Sequence, residues 1–383
     1  MKRLLIGMLV LMTCVAQAAI RYLSTVGENV APYDTPEKAA RDLATVIGAA
    51  SVGDEIRVLP GIYKPAADIA GKSVTLRSYD ANGAVDAANT IFDGSDYAGN
   101  GPLLTFNEID QANAPQFKGL TFRKFAKSVM SFNSMTGVRI EDCVFNENGG
   151  EGVNDGGALY FNLCKDATFL RSTFVGNSAM NYGGAVCLTS SMVECNGIFE
   201  DCVFSTNGLE RPMCGGAVYS NREVHFKNCR FANNTTSMGS AKSTTFGGSV
   251  FVGDNSLVAG CLFTGYANAA YGKCLYTISS VVTNCHFTGV KAAANQNYGV
   301  IAMSSGMLTD CSVTDSDVYT KVVFANQAAS TVEPLRVRNL LVANNVRHNS
   351  DYFAVFGTYK AGGGVVVDNC TILVPDGQII ISL

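Results

Sequence analysis

Apolar residues along this chain recur in a fixed relation to small polar ones. The unit is an apolar residue, a two-residue step ending mostly in Asn, Asp or Gly, a Cys or apolar residue, any residue, then Phe or an aliphatic. It reads IEDCVF at Ile140–Phe145, FEDCVF at Phe199–Phe204, FKNCRF at Phe226–Phe231 and VTNCHF at Val282–Phe287. Looser copies lie at Phe117–Phe122, Leu170–Phe174, Val258–Phe263, Leu308–Val313, Val337–Val342 and Val367–Ile372. Aligning Leu120, Cys143, Thr173, Cys202, Cys229, Cys261, Cys285, Cys311, Leu340 and Cys370 gives spacings of 23 to 32 residues. A period of that size is the signature of a solenoid.

Cys and Phe stand two apart, so on a strand they share one face. The apolar residue three before the Cys can share that interior only if the chain turns between them. The intervening Asn, Asp, Ser or Gly supplies the turn, by bonding local backbone or by tolerating a left-handed conformation. Val144, Arg230, His286 and Thr371, between Cys and Phe, share no chemistry, as expected of an outward position. A second landmark alternates with the first: GGALY at Gly156–Tyr160, GGAVC at Gly183–Cys187, GGAVY at Gly215–Tyr219 and GGSVF at Gly247–Phe251, with weaker copies at Gly272–Tyr276 and Gly299–Met303. It predicts a third strand entered through a glycine turn. The pattern predicts an all-β protein, a right-handed parallel β-helix of about ten or more coils. An antiparallel sandwich is the alternative, but it does not require like residues at like points of every repeat.

Residues 34–50 have helical spacing, with Ala40, Leu43, Ala44 and Ile47 on one stripe and Asp34 or Thr35 as the cap before Pro36. This helix is expected to cap the solenoid. Strands are expected within 52–64, 73–79 and 89–95. The N-terminus carries Lys2 and Arg3, an apolar run from Leu4 to Val15, and Ala16-Gln17-Ala18, the pattern of a signal peptide. The expected organisation is a signal peptide at 1–18, an N-terminal segment with the capping helix at 19–51, and the β-helix at 52–383. Secretion or display at an outer surface follows as an expectation.

Net charge is −4, charged residues make up 16%, and Lys and Arg are scattered, which argues against nucleic acid as a partner. Beyond Cys14, twelve Cys remain. Seven occupy the repeat position and are expected as buried thiols acting as small hydrophobes. Cys164, Cys187, Cys195, Cys214 and Cys274 are the better disulfide candidates. The three His are dispersed and no CxxC occurs, so no metal site is expected.

The helix followed by GDEIRVLPGIY and TIFDG resembles the opening of secreted right-handed β-helix proteins of the pectin-lyase-like superfamily. The pairing of GGA[I/V/L] with FxxN resembles the repeats of polymorphic outer membrane proteins; FxxN occurs at Phe145–Asn148, Phe174–Asn177, Phe204–Asn207 and Phe231–Asn234. Members of that family that autotransport end in a β-barrel, whereas QIIISL closes this sequence within an expected strand. The resemblance implies one of two functions. One is a secreted or cell-surface scaffold acting by adhesion or ligand binding through loops, and this is the favoured expectation. The other is a polysaccharide lyase or glycoside hydrolase, which needs paired carboxylates, or acidic residues holding Ca²⁺ with a nearby Lys or Arg. Asp93, Asp96, Glu151 and Asp155 are the candidate acidic residues; Arg123, Lys124 and Lys127 read as a solvated face. No cofactor is expected, Ca²⁺ entering only with lyase chemistry. The expected partner is a surface protein or polysaccharide, and the chain is expected to be a monomer unless its open C-terminal coil pairs.

Overall fold

The computed structural model describes residues 18–80, 82–107, 114–191, 195–211, 213–236, 245–291, 299–318, 321–326, 333–347, 354–358 and 364–373. Among them the strands pair in parallel throughout, so the sandwich alternative falls. The strands form three ladders around one core. One ladder contains twelve strands, from Gly61–Tyr63 to Thr371–Leu373. The other two merge into a 22-stranded sheet because Leu275–Thr283 and Ile301–Thr309 run straight through the corner that separates these ladders in other coils.

The predicted corner is present in each described repeat. The residue before the Cys position has a left-handed φ: 53° at Asp142, 54° at Asp201 and Asn228, 52° at Asn284, 65° at Gly260. Arg171 alone lacks a turn-forming side chain there, and ion pairs to Asp142 (2.8 Å) and Glu141 (2.5 Å) on the preceding coil brace it. These bonds also correct the alignment. Ser172, not Thr173, fills the Cys slot: Thr173 pairs with outward Val144, while the buried Ser172 hydroxyl accepts the Cys143 N–H at 3.2 Å.

Inside, like residues stack on like. Phe92, Phe122, Phe145, Phe174, Phe204, Phe231, Phe263 and Phe287 form one ring column, with centroids 4.7 to 5.4 Å apart. Stacking at that distance adds to the burial of each ring. The Cys column lies beside it. Its thiols donate to the carbonyl two residues earlier, as at Cys143 to Glu141 (3.3 Å) and Cys285 to Thr283 (3.2 Å). All twelve described cysteines are free, including the five expected first as disulfides. Burial pushes Cys143, Cys164 and Cys274 up to about 12, which makes them poor nucleophiles. Native protein is therefore expected to react with a disulfide reagent first at half-exposed Cys370, the buried thiols reacting only as urea unfolds the chain. Rapid modification of Cys143 in native protein, read by mass spectrometry, would contradict this packing.

The helix expected over 34–50 forms only at Leu43–Ala49, capped by Asp42, whose carboxylate accepts the Thr45 N–H at 2.7 Å. The residues before it are committed elsewhere: Ala40 N–H donates to Tyr22, and the Glu37, Lys38 and Ala39 carbonyls accept from Glu28, Val30 and Asn29. Leu43, Val46 and Ile47 join the continuous core. Only a seven-residue helix forms where the stripe predicts a longer, capping one. The strands expected near the N-terminus appear at Glu55–Val58, Gly61–Tyr63, Thr75–Ser78 and Thr90–Asp93. The expected signal peptide, apart from Ala18, and the QIIISL end lie outside the described residues.

Candidate functional site

Two outward columns arise from the glycine turns. Directly before each turn stand Asp155, Tyr182, Cys214, Phe246 and Tyr271, bridged one to the next. Just after it, at outward positions of the strand, stand Tyr160, Cys187, Tyr219, Phe251 and Tyr276, paired in register. In later coils the rings pack along each column and across the two. Tyr182 meets Tyr219 at 4.5 Å, Phe246 meets Tyr271 at 4.9 Å, and Phe251 meets Tyr276 at 5.1 Å. Those ring faces are occupied by one another, so they offer no platform to a ligand.

At the Asp155 coil the columns begin and the surface opens. Connections 94–103, 124–129 and 147–158 of three successive coils meet there around a cleft of about 330 Å³, within the size range of small-ligand sites. Asn100, Lys127, Ser131, Asn154, Asp155 and Tyr160 line it. Ser131 and Tyr160 are neighbours in one ladder, so their positions are set by strand register. Ser128 ties the middle connection to the next coil by donating to the Gly156 carbonyl at 2.8 Å. Asp68 steadies the first by accepting the Asn100 N–H at 3.2 Å. The Lys127 ammonium lies beside Gly152 of the third.

Asp155 is half-buried, and its Oδ1 is buried without a hydrogen-bond partner. Burial raises its pKa above the ordinary carboxylate value, only partly countered by the nearby Tyr182 N–H. Burial likewise pushes Tyr160 up to about 12, so its hydroxyl stays protonated. Together the cleft presents one carboxyl group, one ammonium, three side-chain hydroxyls and two amides.

The four acidic candidates do not converge. Asp93 is buried beneath its own turn; burial acts to raise its pKa, but the Ser95 hydroxyl, the Ser95 N–H at 3.0 Å and the Arg123 pair at 2.7 Å outweigh it and hold it down at about 2. Asp96 is exposed and paired with Lys64 at 2.7 Å. Glu151 is exposed on the loop next to Gly152, and Asp155 alone of the four lines the cleft. Of the basic residues read as a solvated face, Arg123 pairs with Asp93, Lys124 is a corner with φ 58°, and Lys127 lines the cleft. Lys127, read as solvated, and Tyr160, read only as part of the GGALY strand, were not expected at a ligand cleft. Aligning Met130–Asn133 under Leu159–Asn162 by the GGALY repeat was the signal for them. Among the described residues, no group of three or more His, Cys, Asp or Glu side chains is placed to hold a metal ion, and no helix is long and apolar enough to cross a membrane.

The family model described as a right handed beta helix region matches residues 108–333. No curated protein matches the chain. Among solved structures, the catalytic domain of a family GH87 α-1,3-glucanase in complex with tetrasaccharides is similar at 10% identity, covering 90% of this chain and 69% of that one, with a TM-score of 0.47. A pectate lyase, Pel9A, is similar at 13% identity, covering 91% and 80%, with a TM-score of 0.42. A rhamnogalacturonan lyase is similar at 13% identity, covering 95% and 90%, with a TM-score of 0.35. At these identities the likeness is one of fold alone.

Proposed function

This chain belongs to the right-handed β-helix family, and from that premise we propose that it is a secreted or cell-surface scaffold that binds a polysaccharide through its loops, resembling the passenger regions of polymorphic outer membrane proteins. One observation carries this reading: connections from three coils frame one cleft, in which Asn100 of the first, Lys127 of the second and Asp155 of the third meet beside Tyr160 on the strand that follows. The rigid stack beneath holds those loops, and loops on a rigid scaffold are where binding residues concentrate. Tyr160 makes no ring contact among the described residues, so its ring remains available to a sugar face. Export rests on the charged and apolar N-terminal pattern.

A second reading, a polysaccharide lyase or glycoside hydrolase, is favoured by the raised pKa of Asp155, which suits a proton donor. Hydrolysis by a carboxylate pair would draw on a second acidic residue within about 5–10 Å, and Asp155 is the acidic side chain lining the cleft among the described residues.

The test is binding of the purified full chain to a printed panel of neutral and uronate-containing polysaccharides. Lys127→Ala, or replacement of 149–154 by a short turn, is expected to weaken retention of the bound polymer at least about tenfold, roughly 1.4 kcal/mol, with an unchanged circular dichroism spectrum. Equal retention by the native and altered proteins would remove the cleft from consideration. Appearance of unsaturated or newly reducing ends in the same samples would favour the enzyme reading.

A further inference from the structure

Asp155 occupies an odd position. It opens a column otherwise built of Tyr, Cys and Phe, and one carboxyl oxygen is buried with nothing to bond. Ionised, that oxygen is a desolvated acceptor without a donor, an arrangement that costs free energy. Protonated, the same carboxyl carries an O–H that can donate into the cleft. A ligand oxyanion placed there would accept that hydrogen bond and face the Lys127 ammonium on the same cleft. Charge-assisted bonds of this kind are the stronger ones.

We propose that the cleft is an acid-dependent receptor for a carboxylate-bearing ligand, with protonated Asp155 donating to the ligand carboxylate and Lys127 neutralising it. The inference rests on the ligand cleft proposed above and adds the ligand's chemistry and its control. The groups facing Asp155 are Lys127 from connection 124–129, Tyr160 on its own coil, Tyr182 and Cys187 on the next, and Tyr219 one coil beyond. Burial raises the three tyrosines and Cys187 above their ordinary values. Between about pH 4.5 and 8 these hydroxyls and the thiol therefore stay neutral, leaving Asp155 as the switching group. Falling pH fills the Asp155 proton site and strengthens binding. The gain ends where the ligand's own carboxylate protonates, at roughly pH 3–4.

Titration calorimetry of the full chain with D-glucuronate and with D-glucose, at about pH 4.5, 6 and 8, tests this. Glucuronate affinity is expected to rise at least fivefold from the highest to the lowest pH, with uptake of one proton read from the buffer dependence of the heat. Glucose is expected to show no such trend. Asp155→Asn, whose amide donates at every pH, is expected to bind glucuronate with little pH response. A glucuronate polymer that binds with the same pH response where the monosaccharide does not supports the inference and makes the carboxylate chain-borne. Equal glucuronate affinity across the range, absence of proton uptake in the native protein, or a pH response surviving in Asp155→Asn overturns it. Glucose binding alone overturns the inference while leaving the scaffold reading intact; binding of neither sugar nor polymer ends both.

Discussion

Gly184→Ala is expected to destabilise the protein by about 3 kcal/mol or more, whereas Gly208→Ala should change stability by less than about 1 kcal/mol. The two glycines of each GG pair are needed for different reasons. The first takes a left-handed φ, 64° at Gly156, 59° at Gly183 and 68° at Gly215. The second has ordinary dihedrals but lies against backbone of its neighbours. A methyl on Gly184 would strike the carbonyl oxygens of Gly216 and Gly208, and one on Gly157 or Gly216 would meet the carbonyl of Gly184 or Gly248. Side-chain rotation cannot relieve a clash with backbone. The coils would have to part, and their spacing of about 4.8 Å is set by the ladder hydrogen bonds on every side. At Gly208 the nearest atom is the Thr235 carbonyl oxygen at 3.5 Å, ordinary contact, and φ is not left-handed. Urea unfolding followed by circular dichroism measures both variants. Coincident midpoints would show that the GG turn does not require this close approach.

That contrast shows what the sequence makes legible. The repeat revealed the solenoid, the corner before the Cys slot and the inward sense of Cys and Phe because stacked coils force like residues to one position. It revealed less where one residue is judged against two. LRSTF, read from Leu170, starts a residue late: Phe169 pairs with Ile140 and opens a full-length unit, and the partners of Ser172 and Thr173 show which enters the interior. The stripe in 34–50 is helical in spacing, yet the carbonyls of 37–39 accept backbone bonds from Glu28, Asn29 and Val30 and the segment forms a turn instead, so propensity yields to them. Asp155 was a candidate because it stands in a Gly-rich loop; its isolation among aromatic residues was not, because that depends on which coil lies above. Lys127 was read as solvated for the same reason. The cleft exists between coils, and a sequence read one coil at a time does not contain it.

The FxxN motif leads to the second large effect. Its Asn side chains are buried and form a chain of amides along the axis. Asn148, Asn177 and Asn207 each donate through Nδ2 to the Oδ1 of the next, at 3.0 Å in all three steps ending at Asn234. Each Nδ2 also donates to a Phe carbonyl one coil back: Asn148 to Phe122 and Asn177 to Phe145 at 3.0 Å, Asn207 to Phe174 at 2.9 Å. Each Oδ1 accepts a backbone N–H as well, Asn177 from Asn148 at 3.1 Å. The amide satisfies the backbone at a corner that ladder bonds cannot reach. Asn177→Leu keeps the branched outline but leaves the Asn148 N–H and Nδ2 and the Phe145 carbonyl without these partners. At about 1–3 kcal/mol per buried orphan, the expected loss is roughly 3–5 kcal/mol.

Asn177→Asp separates the donor from the shape. It retains the acceptor but turns the second atom from donor to acceptor, facing the Phe145 carbonyl and Asn207 Oδ1. Ionised, it adds a buried charge whose described hydrogen-bond partners are amides and backbone, none of them a cation, so the introduced carboxyl should have a folded pKa well above its unfolded value near 4. A carboxyl raised in the folded state contributes most favourably below the unfolded pKa, and that contribution is lost as pH rises through the folded pKa. The Asn177→Asp deficit against native protein should therefore be largest at neutral pH and shrink toward pH 5, where the protonated acid can again donate one bond. Asn177→Leu should show a constant deficit over the same range. Urea midpoints of the three proteins at both pH values decide it. A pH-independent Asn177→Asp deficit, or an Asn177→Leu loss below about 1 kcal/mol, would mean that the amide chain follows the fold rather than supports it.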